Sequence, residues 1–234
     1  MATFGLVHGA YHGAWCWERL APELEQRRHR VLAVDLPAED PEAGAAEYSA
    51  VAIEAFADAD ADLVVVGHSL AGLTIPLIAQ ARPVAMMVFL GAMVPRCGRA
   101  HLDVQRDEPD MVLPGPEGGA FDSADGATHW HPDAAARWFF DDCPPDVAAW
   151  AAARLGGQFW KIIEEVTPLE TWPDVPSAYV IGATDPVINP AWSRRAAREV
   201  LGVEPTELAA GHSPFLSAPT ALADALTAAV ARSR

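Results

Sequence analysis

A serine, an aspartate and a histidine in this chain each follow a short apolar run that ends in small residues, the placement that catalysis by a hydroxyl nucleophile requires. The serine is Ser69, in Val64-Val65-Val66-Gly67-His68-Ser69-Leu70-Ala71-Gly72, where a β-branched run passes through Gly-x-Ser into a helix-like segment. A serine on so tight a strand-to-helix turn exposes its hydroxyl above a sheet, at the positive end of a helix dipole. Small residues must flank it two positions away on each side, because the turn brings backbone close. Gly67 satisfies this, and Ala71 stands where glycine is usual. A hydroxyl is a poor nucleophile at neutral pH and needs a base, commonly a histidine oriented by a carboxylate. Tyr179-Val180-Ile181-Gly182-Ala183-Thr184-Asp185 delivers Asp185 to a strand end, and Leu208-Ala209-Ala210-Gly211-His212-Ser213-Pro214 delivers His212 to a loop ahead of the last helix. Singly, Ser69 reads as a helix N-cap, Asp185 as a turn residue and His212 as a capping or packed residue. Jointly they read as nucleophile, orienting acid and base.

Acyl transfer also needs amide donors aimed at the carbonyl oxygen as it becomes an oxyanion. The backbone N–H of Leu70, next after the serine, is one candidate. The segment Leu6-Val7-His8-Gly9-Ala10-Tyr11-His12-Gly13-Ala14-Trp15, a strand running into a glycine-containing loop, offers that of Ala10 as the other. His8 reads as a residue that ties loops together, and His12 admits either a structural or a functional role. Asp35 reads as a loop-fixing residue, and Asp141 and Asp142 as part of a solvated face. The pair in His129-Trp130-His131 reads as a surface loop, two histidines being too few for a metal site. No dinucleotide fingerprint, phosphate loop or zinc spacing occurs, so the chemistry implied needs no cofactor and no metal.

Strand-like and helix-like segments alternate. Thr3 to Val7, Val31 to Val34, Leu63 to Val66, Ala85 to Leu90, Ser177 to Ile181 and Val203 to Leu208 read as buried parallel strands. Between them, Trp15 to Arg28, Ser49 to Asp60, Leu70 to Ala81, Ala191 to Leu201 and Pro214 to Arg232 read as helices, with Pro76 in conflict with the third. This pattern predicts an α/β fold, an open sheet of about six mostly parallel strands covered by helices on both faces. The stretch 95–172 breaks the rhythm and predicts an inserted helical cap, leaving 1–94 and 173–234 as the core. Its tryptophans and phenylalanines predict an apolar pocket over the sheet, to which Gly9, Tyr11, Trp130, Trp138 and Phe159 are assigned.

With 234 residues, 51% of them hydrophobic, the chain can bury a full core without disulfides or metal. Cys16, Cys97 and Cys143 match no metal-ligand spacing and read as reduced thiols of a cytoplasmic protein. No apolar run reaches the about 20 residues of a membrane span. A net charge of -16 repels phosphate backbones, so neither membrane nor nucleic acid is an expected partner. Composition says nothing about the oligomeric state.

Together these motifs resemble the α/β-hydrolase superfamily, and within it the compact group of plant methyl esterases, hydroxynitrile lyases and small bacterial esterases. The resemblance rests on His8-Gly9-Ala10-Tyr11-His12-Gly13-Ala14-Trp15, Gly67-His68-Ser69-Leu70, Thr184-Asp185 and Gly211-His212-Ser213-Pro214. It implies the α/β-hydrolase fold with a helical cap, a Ser69-His212-Asp185 triad and a small-molecule ester as substrate. It also implies that the lyases carry threonine after the first-strand histidine and lysine directly after the catalytic one. Here those positions hold Gly9 and Ser213, so a serine esterase is the expected activity. A hydroxynitrile lyase-like or purely ligand-binding member is the alternative, and thioesterase, lactonase and amidase activities are open to the same triad.

Overall fold

Six runs of the chain pair side by side as a single parallel sheet: β1 (Thr3–Val7), β2 (Arg30–Val34), β3 (Leu63–His68), β4 (Met86–Leu90), β7 (Ser177–Gly182) and β8 (Thr206–Leu208), in the order β2-β1-β3-β4-β7-β8. The computed structural model describes residues 1–232, so the expected core segment 173–234 extends two residues past the described residues. β1, β3 and β4 are buried along their whole length, which is why their sequences are continuously apolar rather than alternating. Every pair in the sheet is parallel, with Leu6 beside Val66 and Val66 beside Val88.

The chain runs outward in one direction from β1 to β2 and in the other from β3 to β4, so the switch in strand order lies between β1 and β3. In an open parallel sheet the crevice at the carboxyl ends of two such strands is where ligands bind. The β1 end leads into Gly9 and Ala10, and the β3 end into Ser69. Helices α1 (Leu20–Gln26) and α10 (Pro219–Arg232) pack together, as do α2 (Ala45–Ala55) and α3 (Ile75–Ala81). Among the described residues no helix is long and apolar enough to cross a membrane.

Several expected helices are broken, each for a local reason. The segment after Ser69 leaves the strand as a 3-10 turn, Ser69–Leu73, and α3 begins only at Ile75. Pro76 therefore falls in a first turn, where no backbone donor is needed and no kink results. The expected helix from Trp15 opens as a 3-10 turn, Ala14–Trp17, before α1. The second helix starts earlier than expected, at Ala45, because Glu47 accepts a hydrogen bond from Gly44 N (2.8 Å) and Glu165 one from Ala45 N (2.7 Å). Helix α8 (Pro190–Glu199) links β7 to β8, and the last helix is split into α9 (Pro214–Ser217) and α10 by Pro219.

Between β4 and β7 lie α4 (His101–Asp107), α5 (Pro132–Phe139), α6 (Pro145–Ala152) and α7 (Lys161–Glu164). The stretch is not wholly helical as expected: β5 (Ala120–Asp122) and β6 (Thr128–Trp130) form an antiparallel hairpin. Trp130 and His129 therefore belong to a strand and not to a surface loop. This insertion is tied down to the core beside Asp185 and His212. Trp138 Nε1 donates to Pro186 O at 2.9 Å, and Gly211 N donates to Asp142 Oδ2 at 2.6 Å. Asp141 and Asp142 are exposed, as expected of a solvated face, and Asp142 in addition accepts from the loop that carries His212. Asp35 does fix a loop as expected, accepting from Ala14 N at 2.6 Å.

The tightest backbone approach in this core is at Gly72, where a Cβ would lie 1.9 Å from the Met93 carbonyl oxygen. Gly72→Ala must push β4's exit away from the serine turn, an overpacking cost of about 2–3 kcal/mol. The expected outcome is a melting temperature lower by about 5–10 °C. An unchanged value in calorimetry would contradict that contact.

Candidate active site

Ser69 holds φ at +53°, a left-handed conformation that a residue with a side chain occupies only at a cost of about 1–3 kcal/mol. The reversal after β3 depends on it, and the neighbours are shaped around it. A Cβ on Gly67 would lie 2.7 Å from Ile75 Cγ2 and 2.9 Å from Ala71 O. The steric requirement therefore falls on Gly67, and Ala71 is tolerated because its contribution to the contact is backbone. Met93 N donates to Ser69 O at 3.0 Å, anchoring the turn to the exit of β4.

Asp185 and His212 meet across the carboxyl ends of β7 and β8. His212 Nδ1 and Asp185 Oδ2 are 2.9 Å apart, and both side chains are only 2% exposed. The other carboxylate oxygen, Oδ1, accepts from Val187 N at 2.8 Å and Ile188 N at 3.0 Å, which fixes the plane of the group. Gly91, at φ +48°, leaves room for the pair, since a Cβ there would lie 3.1 Å from Asp185 Oδ2. With a carboxylate accepting at Nδ1, Nε2 of His212 is the nitrogen left to exchange protons with a neighbour. His212 and Ser69 border the same cavity, of about 240 Å³.

The loop after β1 supplies the opposite wall. His12 N donates to Gly9 O at 3.4 Å, closing a turn whose third residue, Tyr11, has φ +66°, as a type II turn demands. His8 Nδ1 lies 2.8 Å from Gly9 O, and Leu36 N donates to His8 Nε2 at 2.9 Å. Because Nε2 accepts, Nδ1 carries the proton and donates to the Gly9 carbonyl. Gly9 O and Ala10 N share one peptide group, and none of the described peptide bonds is cis. Holding the carbonyl one way therefore points the Ala10 N–H the other way. His8 ties the loop as expected, and in doing so it orients Ala10. His12 adds a second tie, its Nδ1–H donating to Ala10 O at 2.8 Å. Leu70, second in its 3-10 turn, has an N–H with no partner within that helix by position.

His68 was not singled out by its sequence context, yet it links the serine turn to the histidine loop. Its Nε2 donates to the backbone oxygen of His212 at 3.0 Å, and the two rings lie 4.6 Å apart. Only its place beside Ser69 could have pointed to it.

Of the pocket residues expected from sequence, Tyr11, Trp130 and Trp138 line the cavity, together with Ala10 and Leu70. Gly9 and Phe159 do not. Gly9 lies beneath Ser69, where a Cβ would come within 2.9 Å of Ser69 Cβ. Phe159 points toward Gly126, and Trp160 takes the wall position instead. The chain at Gln158 is extended and bridged to Thr128, so alternate residues face opposite ways and the expected register was one residue off. Phe139 completes the aromatic wall. Burial raises the Tyr11 phenol to about 12, with the Trp130 indole N–H beside it opposing the shift.

The family model described as "Alpha/beta hydrolase family" matches residues 6–225. Esterase PIR7B of Oryza sativa subsp. japonica is 32% identical over 251 aligned residues, covering 95% of this chain and 93% of that protein. An alpha-hydroxynitrile lyase of Arabidopsis thaliana is 38% identical over 123 residues, 48% of this chain and 47% of its own length. A pyrethroid hydrolase from Sphingobium faniae JZ-2 superposes with a TM-score of 0.79 at 23% identity, covering 98% of this chain and 97% of that one.

Burial holds several histidines neutral. It lowers His8 and His68 below the ordinary imidazole value, and lowers His12 to about 3 and His101 to about 4. Unfolded, each titrates near 6.5, so between the two values the unfolded chain binds more protons and stability rises with pH. The stabilisation is complete above about pH 6.5 and is lost as the pH falls toward each folded value, by up to about 1.4 kcal/mol per pH unit for each group. The melting temperature is expected to fall between pH 6.5 and 4, with a shallower slope in His101→Leu, a residue that does not line the cavity. Parallel curves for the two proteins would contradict this assignment.

Proposed function

Because the chain belongs to the alpha/beta hydrolase family, with an esterase related along nearly its whole length, we propose that it is a serine esterase acting on small or medium carboxylic esters. The observation that carries this reading is the buried His212–Asp185 pair at the edge of the cavity that Ser69 borders. Ser69 attacks the ester carbonyl while His212 takes the hydroxyl proton at Nε2. Asp185 stabilises the imidazolium and stays ionised itself. The N–H groups of Ala10 and Leu70 receive the developing oxyanion. His212 then protonates the departing alkoxide, and a water activated by the same nitrogen hydrolyses the acyl-enzyme to release the acid. The insertion 95–172 acts as a cap, its Trp130, Trp138 and Phe139 walling the reacting centre from solvent.

A lyase related over half the chain makes hydroxynitrile cleavage the reading to be set against this one. Cyanide departs as an anion and calls for a nearby cation. None of the residues bordering the cavity is a lysine or arginine, and Ser213, after His212, is fully buried. A threonine in place of Gly9 would also press on Ser69 Cβ. These features support hydrolysis. Thioesters, lactones and amides remain substrates that the same groups can attack, and a purely ligand-binding role would leave the His212–Asp185 pair without use.

Hydrolysis of p-nitrophenyl acetate and butyrate tests the proposal. Ser69→Ala is expected to lower kcat by about a million-fold and Asp185→Asn by about ten-thousand-fold, with both proteins still folded by circular dichroism. Turnover that survives Ser69→Ala, or a wild type that hydrolyses no ester, would overturn it.

A further inference from the structure

The aromatic cavity does not end at its wall. On the outer side of Met93, Val112 and Trp160 lies a second, open depression of about 350 Å³, bordered by α4 and α7. These three residues border both spaces, so the partition is one side chain thick. Its members differ in stiffness. Trp160 is held, its Nε1 donating to Thr128 Oγ1 at 3.0 Å, and Val112 sits in a bridge to Ile188. Met93 is fixed by its backbone to Ser69 O, but its side chain is an unbranched thioether that repacks readily. The soft point of the wall thus stands directly beside the serine.

The two spaces differ in chemistry. The inner one is faced by indole, phenol and phenyl rings, which suit a compact planar group. The outer one is faced by Leu102 and Ile163, both half-buried aliphatic side chains, with Gln105 and Glu164 at its rim. That floor suits a linear aliphatic chain. The seven residues of α4 extend about 10 Å, the reach of about eight methylene groups.

We infer that the trough between α4 and α7 is a binding subsite for the extended alkyl arm of the ester, reached past Met93, while the aromatic cavity holds a compact planar group on the other side of the carbonyl. The substrate class that follows is a medium-chain aliphatic ester of an aromatic or similarly flat alcohol. This rests on the esterase reading for its chemistry but not for its binding geometry.

The test has two arms. In the first, binding of p-nitrophenyl acetate and decanoate to the Ser69→Ala protein is followed by quenching of tryptophan fluorescence, so no turnover is needed. Decanoate is expected to bind at least tenfold more tightly than acetate, and Leu102→Trp, which fills the trough, is expected to abolish most of that difference. In the second, the ratio of kcat/KM for decanoate to that for acetate is measured in the Ser69-intact enzyme. That ratio is expected to fall at least tenfold in Leu102→Trp and to rise in Met93→Ala, which thins the partition. A preference for decanoate that Leu102→Trp leaves intact in the binding arm, or no preference at all, overturns the subsite whether or not the esterase reading holds. Absence of hydrolysis with the binding difference present and sensitive to Leu102→Trp supports the subsite and counts against the esterase reading alone.

Discussion

The left-handed turn at Ser69 is the constraint on which the rest of this structure depends. It reverses the chain within one residue at the end of a buried strand, and a serine does not rest there without support. The support is steric as much as hydrogen-bonded. Gly9, Gly67 and Gly72 each leave a space that a Cβ would fill, at 2.9, 2.7 and 1.9 Å from the nearest atom respectively. Small residues at three positions, one after β1 and two flanking Ser69, therefore draw the end of β1, the serine turn and the exit of β4 into contact. The close fit also fixes where the serine hydroxyl stands relative to the loop after β1.

Around this turn, histidines act as rigid connectors rather than as charges. His8 sets the Gly9–Ala10 peptide, His12 holds the next carbonyl, and His68 joins the serine turn to the backbone of His212. Each is buried and shifted toward the neutral form, and a neutral imidazole offers one donor and one acceptor at fixed angles. His212 differs in facing a carboxylate. Proton transfer is proposed at the Asp185–His212 pair. The insertion contributes ties of its own at Pro186 and Gly211, one beside each partner of that pair.

The strands, their parallel pairing and the meeting of Asp185 with His212 were legible in the sequence because continuous apolar runs ending in small residues leave few alternatives in a parallel sheet, whereas the order of the strands was not. Helix boundaries were less so. Pro76 and Pro219 mark starts, which periodicity alone does not separate from interruptions, and the early start of α2 depends on Glu165, more than a hundred residues away in the chain. The pocket was legible in composition but not in register. Phe159 and Trp160 are equally aromatic, and only the extended backbone at Gln158 decides which one faces the cavity. Likewise, Asp142 is the surface carboxylate its sequence suggests, but the hydrogen bond it accepts from Gly211 N joins segments far apart in the chain and no local pattern shows it.

Fluorophosphonate labelling followed by peptide mass spectrometry tests the central claim most directly, since it asks whether this serine is made nucleophilic by its surroundings. The expected result is a single adduct on Ser69 that is lost in His212→Ala while the fold persists. An unlabelled protein, or an adduct on a different serine, would contradict the account.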